Sequence, residues 1–180
     1  TSSSMKGEPL EQVLDSVIRL VDLLQATDKV GVVAFADNAS QVHALQLLDA
    51  NNKGALKRRV QSMNAYGNTN IEGGLRLAST MWGERRTNER RVIVLLSDGA
   101  PNRGAVTIDA LTDVASHLRL DATVVTLGYG PAHNGDVLAG IARAGGGTYW
   151  FIPDPKEANL EFARALGAQG DVVVDGLELV

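Results

Sequence analysis

Apolar residues along the chain follow two spacings, one typical of amphipathic helices and the other of buried strands. From Pro9 to Gln25 they recur every three or four residues, which predicts a helix with one buried face. An uninterrupted apolar run at residues 92–97 is rich in Val, Ile and Leu, and it predicts a strand buried on both faces of a sheet. Residues 30–36 predict another buried strand, and residues 123–129 predict a further strand. Helical and extended patterns therefore alternate along the chain.

Weaker patterns complete this alternation. Residues 41–48 alternate only partly and follow a tight connection, which predicts an edge strand antiparallel to strand 30–36. Helices are predicted at residues 51–62, 71–85, 107–119, 136–144 and 159–166, and a short aromatic strand is predicted at 148–152 after a glycine turn at 145–147. The predicted fold class is α/β: a doubly wound, mainly parallel sheet with one antiparallel edge strand and helices on both faces.

Composition narrows the class of protein without changing this fold. With 180 residues, 44% of them hydrophobic and 21% charged, the chain is long enough for one globular domain with a sizeable core. A net charge of -4 argues against a nucleic-acid partner, and the absence of cysteine excludes disulfides and thiolate metal sites. No apolar stretch reaches the roughly 20 residues of a membrane span, so we expect no membrane insertion by this domain.

Both ends of the sequence indicate a piece of a longer protein. The chain opens on a serine-rich turn, TSSSMKG, and closes in the strand-like DVVVDGLELV. We expect one domain at residues 1–168, with residues 169–180 starting a following strand or segment. The sequence does not determine the cellular compartment, although an extracellular, cell-surface or periplasmic location is slightly favoured over the cytoplasm.

Oxygen-bearing side chains collect where the predicted parallel strands end. Asp98 follows strand 92–97, and the loops at 2–7 and 66–70 contribute hydroxyls from Ser2, Ser4 and Thr69. Open α/β sheets bind ligands at this edge, and hard oxygen donors suit Mg²⁺, with Mn²⁺ or Ca²⁺ as alternatives. Taken singly, each Ser or Thr is more often a cap or turn residue, and Asp98 is about as often a turn cap. Their expected convergence is what indicates a metal site.

These motifs resemble the von Willebrand factor type A domain in its bacterial form. Residues 2–5 (SSSM) match the Ser-x-Ser-Met part of that family's metal-ion-dependent adhesion site (MIDAS), residues 67–71 (GNTNI) match its Gly-x-Thr loop, and residues 96–99 (LSDG) match its second Asp strand. The resemblance implies that Ser2 and Ser4 ligate the ion directly, and that Thr69 and Asp98 do so directly or through water. It also implies that ligand capture shifts the Thr69 and Asp98 loops and tilts the last helix, residues 159–166.

The family's first Asp and its central strand are not found in the opening residues. The resemblance places both immediately upstream of Thr1. One alternative is that another chain supplies the strand. A second is that the tail Val172–Val174 supplies it, with Asp175 in place of the missing carboxylate.

Three functions are compatible with this pattern. The first is a binding module in which the ion recruits an acidic side chain of a protein partner, with Tyr66, Asn102 and Arg103 as a partner-contacting rim. The second is a structural scaffold whose metal site is vestigial. The third is a metal-dependent hydrolase, although the edge loops supply no activated nucleophile or base, only Lys6 and Arg103 as candidate phosphate ligands. We therefore expect a binding module and no enzyme activity.

The other polar residues receive structural interpretations. His43, His117 and His133 are too dispersed in the sequence to form a ligand set. Asp37, which ends the apolar run 30–36, is expected to shape a turn.

Overall fold

The computed structural model describes residues 8–64, 67–84, 89–97, 100–129, 133–153 and 177–179. Within them, helices and strands alternate as the hydrophobic pattern predicts. The helices are α1 (Glu8–Leu23), α2 (Ala50–Gln61), α3 (Ile71–Ser79), α4 (Ile108–Leu118) and α5 (Gly135–Ala144), and the strands are β1 (Lys29–Phe35), β2 (Ala39–Leu47), β3 (Val92–Ser97), β4 (Thr123–Tyr129), β5 (Gly146–Ile152) and β6 (Leu177–Leu179). The predicted helix 159–166 lies outside the described residues.

The strands form one sheet in the order β2-β1-β6-β3-β4-β5. β2 pairs antiparallel with β1 at one side, whereas β1, β6, β3, β4 and β5 pair in parallel. The predicted α/β class with one antiparallel edge strand is therefore confirmed. The parallel strands all end at the same side of the sheet, called here the carboxyl edge, and the loops after β1 and β3 start there.

The tail segment β6 occupies the central position of this sheet. It runs parallel to both neighbours, with Glu178 in register with Gly31 of β1 and with Ile93 of β3. The tail hypothesis placed such a strand at residues 172–174, which lie outside the described residues together with Asp175. A central strand upstream of Thr1 stays a prediction.

The core consists of two apolar layers, one on each face of the sheet. β3 shows the division most clearly, because Val92 and Val94 pack into one layer and Ile93 and Leu95 into the other. The first layer also contains the buried faces of α1 and α2, and the second contains those of α3, α4 and α5. Strands buried on both faces explain the apolar runs in the sequence. Among the described helices, none is long and apolar enough to cross a membrane.

Apart from the end of α3, the boundaries of α1–α5 and β1–β5 lie within two residues of those predicted from the sequence. α3 ends at Ser79 instead of residue 85, because the chain that follows packs against Arg91 at the start of β3. The buried Arg91 donates from Nη2 to the Gly83 carbonyl at 2.9 Å, and its guanidinium lies 5.2 Å from the centroid of Trp82. β5 begins at Gly146 instead of residue 148; the absence of a side chain at Gly147 allows this part of the strand to approach the Val124 carbonyl of β4 closely.

Candidate functional site

Part of the predicted site lies in the described residues. Thr69, Asn102 and Arg103 are described there, whereas Ser2, Ser4, Tyr66 and Asp98 lie outside them. The convergence of these four residues with Thr69 stays a prediction.

Thr69 lies at the carboxyl edge, in a short loop between Gly67 and α3. The loop is attached to the end of β1, because the Asn70 N–H donates to the Ala36 carbonyl at 3.0 Å. The Asn70 side chain caps α3 by accepting from the Gly73 N–H at 2.9 Å. Thr69 itself is only 4% exposed. The residue is therefore packed into the edge and does not project into solvent.

Asn102 joins the Thr69 loop to the loop that follows β3. Its Oδ1 accepts from the Thr69 N–H at 2.7 Å, and its own N–H donates to the Thr69 carbonyl at 3.2 Å. Both backbone polar groups of Thr69 are thus bound to one residue, which follows the predicted ligand Asp98 by four positions. The sequence placed Asn102 beside the site, but its contact with a partner stays a prediction.

Asp37 bonds both of these loops to the end of β1. Its backbone carbonyl accepts from Asn70 Nδ2 at 3.2 Å and from Arg103 Nε at 3.1 Å. Its carboxylate accepts from Asn68 Nδ2. The residue that the sequence assigned to a turn therefore contacts both sides of the candidate site. Arg103, predicted for the rim, is exposed, and this bond holds its guanidinium at the carboxyl edge.

Glu72 makes a second connection between the same two loops. Its Oε2 accepts from the Ala105 N–H at 2.8 Å, and its Oε1 pairs with Arg76 Nε at 2.8 Å. The hydrogen bond from Arg76, and then the one from the Ala105 N–H, lower the pKa of the Glu72 carboxyl from its ordinary value. Gly104 beside them has φ +68°, and a Cβ there would strike Asn70 Oδ1. Glycine is therefore required at this close approach.

The three histidines lie on different parts of the fold: on β2, on α4 and just before α5. His43 is buried on β2, where desolvation and then the charge of Arg59 lower its pKa. His117 is exposed on α4, and His133 stacks on Phe151 with ring centroids 4.6 Å apart. Among the described residues, no group of three or more His, Cys, Asp or Glu could hold a metal.

The described edge fits a metal site built on hydroxyl oxygens. Thr69 brings a hard hydroxyl donor to the carboxyl edge, in a loop whose backbone is bonded on both sides. An ion at this edge would depend on Thr69 together with the predicted ligands Ser2, Ser4 and Asp98. Such a donor set suits a hard divalent cation.

Sequence reasoning missed the side chains that hold this edge together. Asn68 and Asn70 flank Thr69, and an Asn immediately before a helix is a recognisable capping signal. Asp37 follows a buried parallel strand, the same signal that singled out Asp98. Their partners could not be read from the sequence, because Asp37 and Arg103 are 66 positions apart.

Comparison with known protein families agrees with this description. The sequence profile of the von Willebrand factor type A domain matches residues 1–164. The chain is 32% identical over 180 residues to the uncharacterised protein sll0103 of Synechocystis sp., a match that covers 99% of this chain and 42% of that protein.

Solved structures share the fold at low sequence identity. A von Willebrand factor type A protein from Catenulispora acidiphila has a TM-score of 0.79 at 22% identity, over 89% of this chain and 38% of that one. Proximal thread matrix protein 1 from the mussel byssus, with a zinc-occupied MIDAS motif, has a TM-score of 0.71 at 20% identity, over 91% of this chain and 44% of that one. The present chain spans less than half the length of each of these relatives.

Proposed function

Because the chain belongs to the von Willebrand factor type A domain family, whose members commonly act as protein-interaction modules, we propose that it is a metal-dependent protein-binding module. Ser2, Ser4, Thr69 and Asp98 would hold the ion, which is Mg²⁺ or, alternatively, Mn²⁺ or Ca²⁺. The ion would keep one coordination position for an acidic side chain of a protein partner.

The placement of Thr69 is the observation that carries this proposal. Thr69 lies at the carboxyl edge, where open parallel sheets bind ligands, and its backbone is bonded to the loop that follows β3. The zinc-occupied MIDAS motif of the mussel protein supports a divalent ion at the corresponding place in this fold.

The charge of the proposed donor set explains why the partner group would be acidic. Hydroxyls are neutral, so Asp98 alone contributes a negative charge among the predicted ligands. An ion held in this way keeps a net positive charge and attracts a further carboxylate oxygen. The exposed guanidinium of Arg103 at the same edge favours an acidic partner for the same reason.

Thermal unfolding with EDTA or with about 1 mM Mg²⁺, Mn²⁺ or Ca²⁺ tests the metal site. A ligand that binds only the folded protein, at about 100 times its Kd, stabilises it by roughly 2.7 kcal/mol. For a chain of this size that corresponds to a rise in Tm of roughly 5–11 °C. Thr69→Val and Asp98→Ala should each abolish the rise.

Thr126→Val is the matched control, because Thr126 is a buried threonine on β4 whose hydroxyl donates to the Leu138 carbonyl at 2.9 Å. Loss of this hydrogen bond should lower the free energy of unfolding by about 0.5–1.5 kcal/mol, both with and without metal. The metal-induced rise in Tm should therefore survive in this variant and disappear in Thr69→Val.

The remaining outcomes separate the alternatives. If no ion changes the Tm of the unaltered protein, the metal proposal fails and the scaffold function is favoured. Hydrolysis of a phosphate ester or carboxylic ester that Asp98→Ala abolishes would favour a metal-dependent hydrolase. Capture of Asp- or Glu-containing peptides in Mg²⁺ but not in EDTA would support recruitment of a partner carboxylate.

A further inference from the structure

We propose that Asn102 is a positioning residue, which fixes Thr69 and joins the Thr69 loop to the loop after β3 before any ion binds. The inference rests on the proposed function, in which Thr69 is a metal ligand. Asn102 itself was expected only at the rim, as a residue that contacts a partner.

The two bonds between Asn102 and Thr69 restrain the ligand residue from both sides. Asn102 Oδ1 holds the Thr69 N–H at 2.7 Å, and the Asn102 N–H holds the Thr69 carbonyl at 3.2 Å. A rotation of either peptide group of Thr69 would break one of these bonds. The direction in which the Thr69 side chain leaves the backbone is therefore set by Asn102.

Further bonds extend this restraint to the end of β1. Asp37 accepts from Asn70 on one loop and from Arg103 on the other. Glu72, in the first turn of α3, accepts from the Ala105 N–H at 2.8 Å. Arg103 and Ala105, which follow Asn102, therefore add two links, one to β1 through Asp37 and one to α3 through Glu72.

Loops tied in this way should respond to a ligand as a single body. If ligand capture moves Thr69, the segment that begins at Asn102 must move with it, or both bonds to Thr69 must break. The shifts of the Thr69 and Asp98 loops that the family resemblance implies would then occur as one concerted shift.

The expected effect on metal binding follows from preorganisation. A ligand residue that is already ordered loses less conformational freedom when the ion binds. Residues that orient metal ligands through hydrogen bonds typically contribute 10-fold to 100-fold to metal affinity. We expect Asn102→Ala to weaken Mn²⁺ or Mg²⁺ binding by about 10-fold or more.

The test measures amide hydrogen exchange at Thr69 by NMR without metal, and then the affinity for Mn²⁺ and Mg²⁺ by calorimetry. Asn102→Ala removes the acceptor and should speed exchange of the Thr69 amide by roughly tenfold. Asn102→Asp keeps an acceptor oxygen at that position and should restore slow exchange. If Asn102→Ala does not fold, Asn102→Ser, a shorter and weaker acceptor, allows the same comparison.

Asp49→Ala is the matched control. Asp49 accepts a backbone N–H from Asn52 at 2.8 Å, a bond of the same kind, and it caps α2 at the opposite end of β1 from Asp37. Its loss should lower the Tm and leave Thr69 exchange and metal affinity unchanged. A general loss of stability is thereby separated from a loss of positioning.

The outcomes distinguish this inference from the proposed function. Unchanged Thr69 exchange in Asn102→Ala overturns the inference, whatever the protein binds. If Asn102→Ala speeds exchange of the Thr69 amide but leaves the metal affinity unchanged, Asn102 is only a structural residue, and the inference is also overturned. Absence of metal binding by the unaltered protein overturns the proposed function, and the exchange data then show separately whether Asn102 holds Thr69.

Discussion

Gly67 offers a sharp test of the candidate site, because its backbone conformation and its surroundings both exclude a side chain. Its φ is +71°, in the left-handed region. A Cβ at this position would lie 3.0 Å from Asp37 Cγ and closer still to Asp37 Oδ2. Gly67→Ala therefore strains the backbone two residues before Thr69 and displaces the carboxylate that accepts from Asn68.

Both effects can be given a magnitude. An alanine in the left-handed region costs roughly 1–2 kcal/mol. Displacing the Asp37 carboxylate weakens a hydrogen bond to a charged group, which contributes about 1.5–3 kcal/mol. The smaller conformational freedom of alanine in the unfolded chain offsets about 0.4–1 kcal/mol of this. The net loss should be roughly 2–4 kcal/mol, which corresponds to a fall in Tm of about 4–16 °C.

Denaturant unfolding of Gly67→Ala beside Gly83→Ala measures this loss. Gly83 lies in a loop where a Cβ would have nothing within 4 Å and where φ is outside the left-handed region. Gly83→Ala should therefore not destabilise the protein, and the smaller conformational freedom of alanine in the unfolded chain should stabilise it by up to about 1 kcal/mol. In an Asp37→Ala background the collision is absent, so Gly67→Ala should cost only the backbone strain less the offset from the unfolded chain, at most about 1.6 kcal/mol. If Gly67→Ala is as stable as Gly83→Ala, neither the backbone strain at Gly67 nor the collision with Asp37 exists in solution.

Two further predictions concern groups buried away from the site. The pKa of His43 is lowered from 6.5 by burial and by Arg59, so the unfolded chain binds its proton more readily. The contribution of neutral His43 to the free energy of unfolding is full above pH 6.5 and is lost as the pH falls through the lowered pKa. His43→Gln should therefore flatten the pH dependence of the urea midpoint. His117→Gln, at an exposed position, should leave that pH dependence unchanged. Arg91→Met removes the guanidinium that pairs with Glu89 at 3.2 Å, where both side chains are at most 10% exposed. The free energy of unfolding should fall by about 3–5 kcal/mol. A fall below about 1 kcal/mol in urea unfolding would contradict this prediction.

The layers of the fold could be predicted from the sequence because each strand carries its own signal. A strand covered on both faces is apolar at most positions; β3 shows this from Val92 to Leu96, and β4 shows it with Thr126 as a polar exception. The end of α3 was not predictable in the same way. Residues 80–84 continue a helical spacing, but the stacking of Trp82 on Arg91 is a contact between elements that local periodicity cannot encode.

The candidate site, like the fold, could be predicted from the sequence only in part. The sequence placed Thr69 and Asn102 at one edge, since both follow predicted elements that end there. Asn102 accepts from the Thr69 N–H only because two loops lie side by side in the folded chain, and the two residues are 33 positions apart in the sequence. The part played by Asp37 was missed for a related reason. Two of its bonds are accepted by its backbone carbonyl, which the residue type does not reveal.

Holding the edge and ligating the ion are assigned to different residues in this chain. Asp37, Asn70, Glu72 and Asn102 hold the loops, and none of them is a predicted ligand. Thr69 takes part in the holding bonds through its backbone, which leaves its hydroxyl to the proposed ion. A small zinc domain that folds around its metal unfolds when the metal is removed. Here the two apolar layers and the bonds between the loops are formed by protein groups alone. The chelated protein should therefore stay folded and keep slow exchange of the Thr69 amide.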